Sequence, residues 1–192
     1  MVVYDQLVQR LNEAGVAYRI HEHAPSVTVL DAETYLDFPV NQVLKTIAFQ
    51  IKSSGWVLAA LCGYNQVDYK KLATVCGVSR DKLMRLTPAA VEQELGFELG
   101  GVCPLAMNAQ TQVVIDSGAL QHPLVFCGTG RRDRTLEIAP AELARMSRRF
   151  AQRGRLWAAS IAAEELAQSA KTSQTMSGEN TSEISMRSLA LD

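Results

Sequence analysis

The chain has 192 residues, 47% of them apolar and 20% charged, and a net charge of −1 at pH 7. That is enough chain to bury one core of ordinary size in a soluble protein of average composition. No apolar run approaches the roughly 18 residues needed to cross a bilayer, and the near-neutral charge argues against binding nucleic acid by bulk attraction.

The elements can be read in chain order. Leu7, Leu11 and Ala14 share one helical face, with Asp5 near the start and Gly15 at the end, so residues 4–14 predict a short amphipathic helix. Val16 to Ile20 alternates as a strand, and His21-Glu22-His23-Ala24-Pro25 leaves it through a proline break. Thr28 to Leu36 predicts a second helix, and Pro39 opens a turn into a third short one. Thr46 to Ile51 and Trp56 to Cys62 are strand-like runs joined by a Ser53-Ser54-Gly55 hairpin turn. Asp68 caps a helix carrying Leu72, Ala73, Val75 and Cys76 on one face, and Gly77 stops it. Leu83 to Leu86 is a short strand, and Thr87-Pro88 with Glu92 starts a helix running to Gly96. Beyond the glycine-rich loop at 100–104, strands follow at Val113–Asp116, Leu124–Cys127 and Thr135–Ile138. Pro140 to Phe150 reads as a closing helix with proline in its first turn. Strands and helices are mixed, several strands are joined by tight turns and no repeat is visible. These features predict an α/β protein of one domain, over residues 1–160, with a mixed, mainly antiparallel sheet. From Lys171 to Arg187 the chain is rich in Ser and Thr and poor in large apolar side chains, so residues 168–192 are expected to form a flexible tail.

The N-terminus, Met1-Val2-Val3-Tyr4-Asp5, lacks the basic start and apolar stretch of a secretory signal, which makes the cytoplasm the expected location. Cys62, Cys76, Cys103 and Cys127 form no C-x-x-C pair, so neither a disulfide framework nor a structural zinc site is expected. The basic residues are unevenly spread, in Lys70-Lys71, Arg80 to Arg85, Arg131-Arg132 with Arg134, and Arg145 to Arg155. Each cluster is either a solvated face or a local contact for phosphates.

Three features bear on chemistry. Lys45 stands alone at the mouth of an apolar strand, where a lysine either snorkels to water or has a partner or a task. Leu99-Gly100-Gly101-Val102-Cys103-Pro104 is either a tight turn or a concavity of N–H groups able to bind a carbonyl oxygen or oxyanion. His21 and His23 lie two apart at a strand end, but with His122 far away a metal site lacks ligands, and no metal or other cofactor is expected. No H-E-x-x-H, Walker loop, G-x-S-x-G or G-x-G-x-x-G is present, and nothing local supplies a base for Cys103.

The order of these features resembles the bacterial prolyl-tRNA synthetase editing domains and their free-standing YbaK-type relatives, the Cys-tRNA(Pro) and Ala-tRNA(Pro) deacylases. The matching blocks include Tyr18 to Pro25, Gln42-Val43-Leu44-Lys45-Thr46, Val67 to Ala73, Gly96 to Pro104, Val114-Ile115-Asp116 and Gly128-Thr129-Gly130. They span roughly residues 5–150, and the V-x-K-T and G-G-V-x-P blocks, about 55 residues apart, are the most specific. The resemblance implies a barrel-like sheet surrounded by helices, with a pocket for the aminoacyl end of tRNA. It implies catalytic roles for Lys45 and Gly101, the lysine holding the terminal adenosine and ester. It also implies substrate contacts from Tyr18, His23, Thr28, Gly100, Val102, Cys103, Pro104 and Asp116. The attacking species would be a water or a substrate group, with no protein nucleophile and no cofactor. The expected partners are aminoacylated tRNA and prolyl-tRNA synthetase, with no membrane, and the oligomeric state stays open. The substrate implied is tRNA(Pro) carrying a small amino acid such as Cys, Ala or Ser. One departure is Cys103, where relatives commonly have serine. The thiol, a weaker donor, either shifts the amino acid accepted or is neutral because the amides do the binding. The competing readings are a non-catalytic module of the same fold that binds an aminoacyl or nucleotide ligand, and an interaction protein using the Arg145–Arg155 helix.

Overall fold

A run of nine strand residues with a tight turn behind it is the seed of the structure. In the computed structural model, β2 (Val43–Ile51) folds back on β3 (Gly55–Cys62) as an antiparallel hairpin, in register from Leu44 opposite Cys62 to Ile51 opposite Gly55. The structure describes residues 3–27, 31, 38–52 and 54–150. The predicted helix over Thr28–Leu36, apart from residue 31, and the predicted tail therefore lie outside the described residues.

Strands β1 (Tyr18–Glu22), β4 (Leu83–Arg85), β5 (Thr111–Ile115), β6 (Val125–Gly128) and β7 (Arg134–Ile138) join the hairpin in one sheet. The order is β1-β7-β6-β2-β3-β5, with β4 added beside β2. The β1–β7, β7–β6, β2–β3 and β2–β4 pairs are antiparallel, whereas β2–β6 and β3–β5 are parallel, so the sheet is mixed and mainly antiparallel as expected. The barrel-like closure is corrected. β1 and β5 end the order with one partner each, so the sheet is open and each face carries its own core.

The strand alternation divides those cores. Leu44, Ala48, Leu58, Ala60, Val125, Cys127, Leu136 and Ile138 point to one face. There they pack with Leu7 and Leu11 of α1 (Val3–Glu13) and with Leu143 and Met146 of α4 (Pro140–Phe150). Phe49, Ile51, Val57 and Ala59 point to the other face and meet Leu72 and Ala73 of α2 (Tyr69–Cys76). Burying a side chain of this size is worth about 1.5–3 kcal/mol, so the alternation alone fixes which face of β2 meets which helix.

α2 begins where the Asp68 carboxylate accepts from the Lys70 and Lys71 N–H groups, at 2.9 and 3.0 Å. It ends at Gly77, whose φ of 68° is the left-handed cap its sequence position predicts. α3 starts at Pro88–Ala90, with the Thr87 hydroxyl accepting from Ala90 N–H, and widens into a π-helical turn through Val91–Leu95. The turn after Pro39 is a single 3-10 turn, Val40–Gln42, that leads into β2. Among the described residues no helix is long and apolar enough to cross a membrane.

Candidate active site

The edge of β2 that faces β6 is not covered along its length. β6 pairs with it at Val43 and Leu44, and β4 pairs with it only from Phe49 to Ile51. Between them Lys45, Thr46 and Ile47 border a cleft of about 520 Å³. The cleft also takes in Phe126 of β6, Thr135 of β7, His23 just past β1, Phe38 ahead of β2, and Gly100 and Val102 of the glycine-rich loop. Residues distant in sequence thus converge where two strands part from a third.

Lys45 has no carboxylate or hydrogen-bond partner among the described residues, and its partial burial lowers its pKa below the usual 10.5. A partly desolvated ammonium without a counter-ion among the described residues is suited to an anionic or carbonyl oxygen. Thr46, next in the strand and so turned to the opposite face of the sheet, has its hydroxyl buried with no partner among the described residues.

The glycine-rich loop is held by three segments stitched through their backbones. Gly101 N–H donates to Glu98 O at 2.9 Å, Gly130 N–H to Gly101 O at 2.7 Å, and Glu98 N–H to Gly130 O at 2.9 Å. The third segment joins where Ser26 N–H donates to Arg132 O at 2.8 Å and His23 N–H to Asp133 O at 3.0 Å. The packing leaves no space for side chains. At Gly100, with φ of 90°, a Cβ would overlap the Ser26 carbonyl and the Val27 Cα. At Gly101 a Cβ would overlap the Arg131 backbone. The consequence for chemistry is specific. The Gly101 amide is engaged inside the loop, whereas the Gly100 and Val102 N–H groups have no acceptor among the described residues, and both residues line the cleft. The Gly101 amide is thus committed to the loop, and those of Gly100 and Val102 beside it are not.

The face of the sheet under the cleft is aromatic and polar. Phe38 and Phe126 stack at 3.9 Å and 12°, with the His21 ring edge-on to Phe38 at 4.9 Å. His21 Nε2 donates to Glu137 Oε2 at 2.6 Å, which holds the ring in place. His23 Nδ1 lies 2.7 Å from the Ala24 carbonyl oxygen. A carbonyl only accepts, so Nδ1 carries the hydrogen, and Nε2 hydrogen-bonds the Thr135 hydroxyl 2.9 Å away.

The remaining residues expected from the sequence lie elsewhere. The Tyr18 side chain packs on the main core and donates through its hydroxyl to Asn12 Oδ1 at 2.9 Å, away from the cleft lining. Cys103 is fully buried in that core, where desolvation pushes its thiol up to about 12. Pro104 is buried, and its carbonyl accepts from Ser147 Oγ at 3.4 Å. Asp116 caps the turn Ser117–Gln121 through Gly118 N–H and accepts from Asn65 Nδ2 at 3.1 Å, so it reaches the cleft only through Asn65. Thr28 lies outside the described residues. Thr46, Phe38, Phe126 and Thr135 were not singled out from the sequence. Only Thr46 carried a local signal, its place in the block that contains Lys45. Among the described residues no three His, Cys, Asp or Glu side chains are grouped to hold a metal ion.

Comparison with known proteins agrees with this architecture. A family model described as the aminoacyl-tRNA editing domain matches residues 23–146, most of the described chain. A curated relative from Enterococcus faecalis, EbsC, named as a candidate Cys-tRNA(Pro)/Cys-tRNA(Cys) deacylase, is 28% identical over 136 residues, 69% of this chain and 82% of its own length. The Bacillus subtilis protein YwhH, named without a function, is 28% identical over 122 residues, 64% of this chain and 76% of its own. Among solved structures, a candidate trans-editing enzyme for prolyl-tRNA synthetase shares the fold with a TM-score of 0.64 at 24% identity, over 76% of this chain and 91% of that one. The hypothetical protein APE2540 shares it at 0.67 and 22% identity, over 74% and 93%. The chain belongs to the aminoacyl-tRNA editing domain family, whose enzymes hydrolyse the ester between an amino acid and its tRNA.

Proposed function

We propose that this enzyme acts in trans on tRNA(Pro) mischarged with a small amino acid, Cys, Ala or Ser, as a companion of prolyl-tRNA synthetase, with Lys45 at the centre of the chemistry. The name of EbsC, which couples Cys with tRNA(Pro) and tRNA(Cys), supports the choice of substrate. The observation that carries the role of Lys45 is its unpaired ammonium in the same cleft as the free amides of Gly100 and Val102.

The reaction then needs little from the protein, because an aminoacyl ester is already activated. Water attacks the ester carbonyl carbon; where a side-chain hydroxyl or thiol of the amino acid attacks instead, the cyclic ester it forms leaves the ribose and is then opened by water. The carbonyl oxygen becomes an oxyanion, and the Lys45 ammonium with the Gly100 and Val102 N–H groups accommodates its charge. When the carbon–oxygen bond to the ribose breaks, the ribose oxygen leaves and takes up a proton. Thr135 supplies a hydroxyl that fixes the ester or the attacking group, and His23 holds Thr135. Gly101 acts by shaping the loop. The test is a set of tRNA(Pro) and tRNA(Cys) samples charged with Pro, Cys, Ala or Ser, incubated with the protein and scored for release. Release of one small amino acid from tRNA(Pro), with Pro-tRNA(Pro) spared, is the expected result. Release from none of the tRNA(Pro) species would overturn the choice of substrate.

A further inference from the structure

Five cationic side chains border the cleft, Lys45, Arg85, Arg131, Arg132 and Arg134, and they are not equivalent. Arg131 grips Asp133 through two N–H bonds of 2.8 and 2.9 Å. Arg134 pairs with Glu22 at 3.0 Å, donates to the Tyr4 hydroxyl at 3.2 Å and lies over the Tyr4 ring. Both are committed to the protein itself. Arg85 and Arg132 are exposed, and their guanidinium groups have no carboxylate, other acceptor or ring partner among the described residues.

Their main chains, by contrast, are fixed. Arg132 N–H donates to Glu98 Oε2 at 2.9 Å and its carbonyl accepts from Ser26 N–H at 2.8 Å. Arg85 is held in β4 opposite Phe49 of β2. A free guanidinium on an anchored backbone is a planar fork ready for bidentate contact with a phosphate. The two mounts lie along one edge of β2. β6, which leads into the Arg132 loop, joins that edge at Leu44, and β4 joins it at Phe49. Five strand residues place these junctions on the order of 16 Å apart, with Lys45 between them.

We propose that Arg85 and Arg132 are phosphodiester contacts that hold the 3′ strand of the tRNA on either side of Lys45, while Arg131 and Arg134 build the cleft wall. The inference rests on tRNA being the substrate. Its test is binding of uncharged tRNA to the full chain across a salt series, beside Arg85→Ala, Arg132→Ala and the double variant. Each loss weakens binding about 10-fold and reduces the slope of log affinity against log salt by about 0.7, and the effects of two separated sites add. In deacylation both variants raise KM for tRNA and leave kcat unchanged. An aminoacyl ester of adenosine, which has no phosphate, is hydrolysed by the variants as by the parent protein. Unchanged slopes, or no salt-dependent tRNA binding by the parent, would overturn the proposal. Reduced slopes in the variants with no amino acid released by the parent would overturn the reading of the substrate and leave the phosphate contacts standing.

Discussion

Replacing Gly101 by alanine tests how the cleft is built. Gly101 does not have a left-handed backbone, so the cost of a side chain there is set by space. An added Cβ would overlap the carbonyl carbon and oxygen of Arg131 and lie 2.8 Å from its nitrogen, all of them backbone atoms that cannot swing aside. Restoring ordinary contact needs the two loops to part by on the order of 1 Å. The same movement strains the 2.7 Å bond from Gly130 N–H to Gly101 O and shifts the Gly100 and Val102 amides. Overpacking of this kind costs roughly 1–3 kcal/mol, which for a chain of this size lowers Tm by roughly 2–12 °C. A displacement of about 1 Å at a reacting centre lowers the rate about 100-fold. Thermal unfolding and single-turnover deacylation measure the two effects. Gly118→Ala is the matched control, because a Cβ there meets only the Asp116 carboxylate, at an ordinary 3.6 Å. A Gly101→Ala protein with the parent's Tm and rate would refute the packing account.

Two further predictions concern ionisation and burial. Because burial lowers the Lys45 pKa, its ammonium is lost at a lower pH than that of a free lysine. After subtraction of spontaneous hydrolysis, the deacylation rate should therefore fall along an alkaline limb with its midpoint below 10.5, and a flat profile would remove the ammonium from the chemistry. Cys103, buried and with its pKa near 12, should resist alkylation in the native protein. Cys103→Ala should cost about 1 kcal/mol of stability and leave the ratio of rates on Cys- and Ala-charged tRNA unchanged. A shifted ratio would mean that the thiol acts on the amino acid after all.

What the sequence made legible follows from the range of each interaction. The Asp68 cap, the Gly77 stop and the turn entering at Gly55 act over a few residues, so α2 and the β2–β3 hairpin could be read directly. The parallel pairings of β2 with β6 and of β3 with β5 join segments more than 50 residues apart and leave no local mark. They decide where β2 is left uncovered, and hence where the cleft lies. The same limit separates the loop's residues. Text alone makes Gly101, Val102 and Cys103 equal neighbours, whereas the fold locks the first amide, frees the second and buries the third side chain. Lys45 was visible because a lone cation in an apolar run conflicts with its surroundings. Thr135 was not, because a threonine in a strand conflicts with nothing.

The most direct test of the central claim compares the parent protein with Lys45→Ala on the mischarged tRNA(Pro) that the parent deacylates fastest, under single-turnover conditions. The account predicts a fall of about 100- to 1,000-fold in rate with an unchanged Tm. Undiminished release of the amino acid by Lys45→Ala would contradict it.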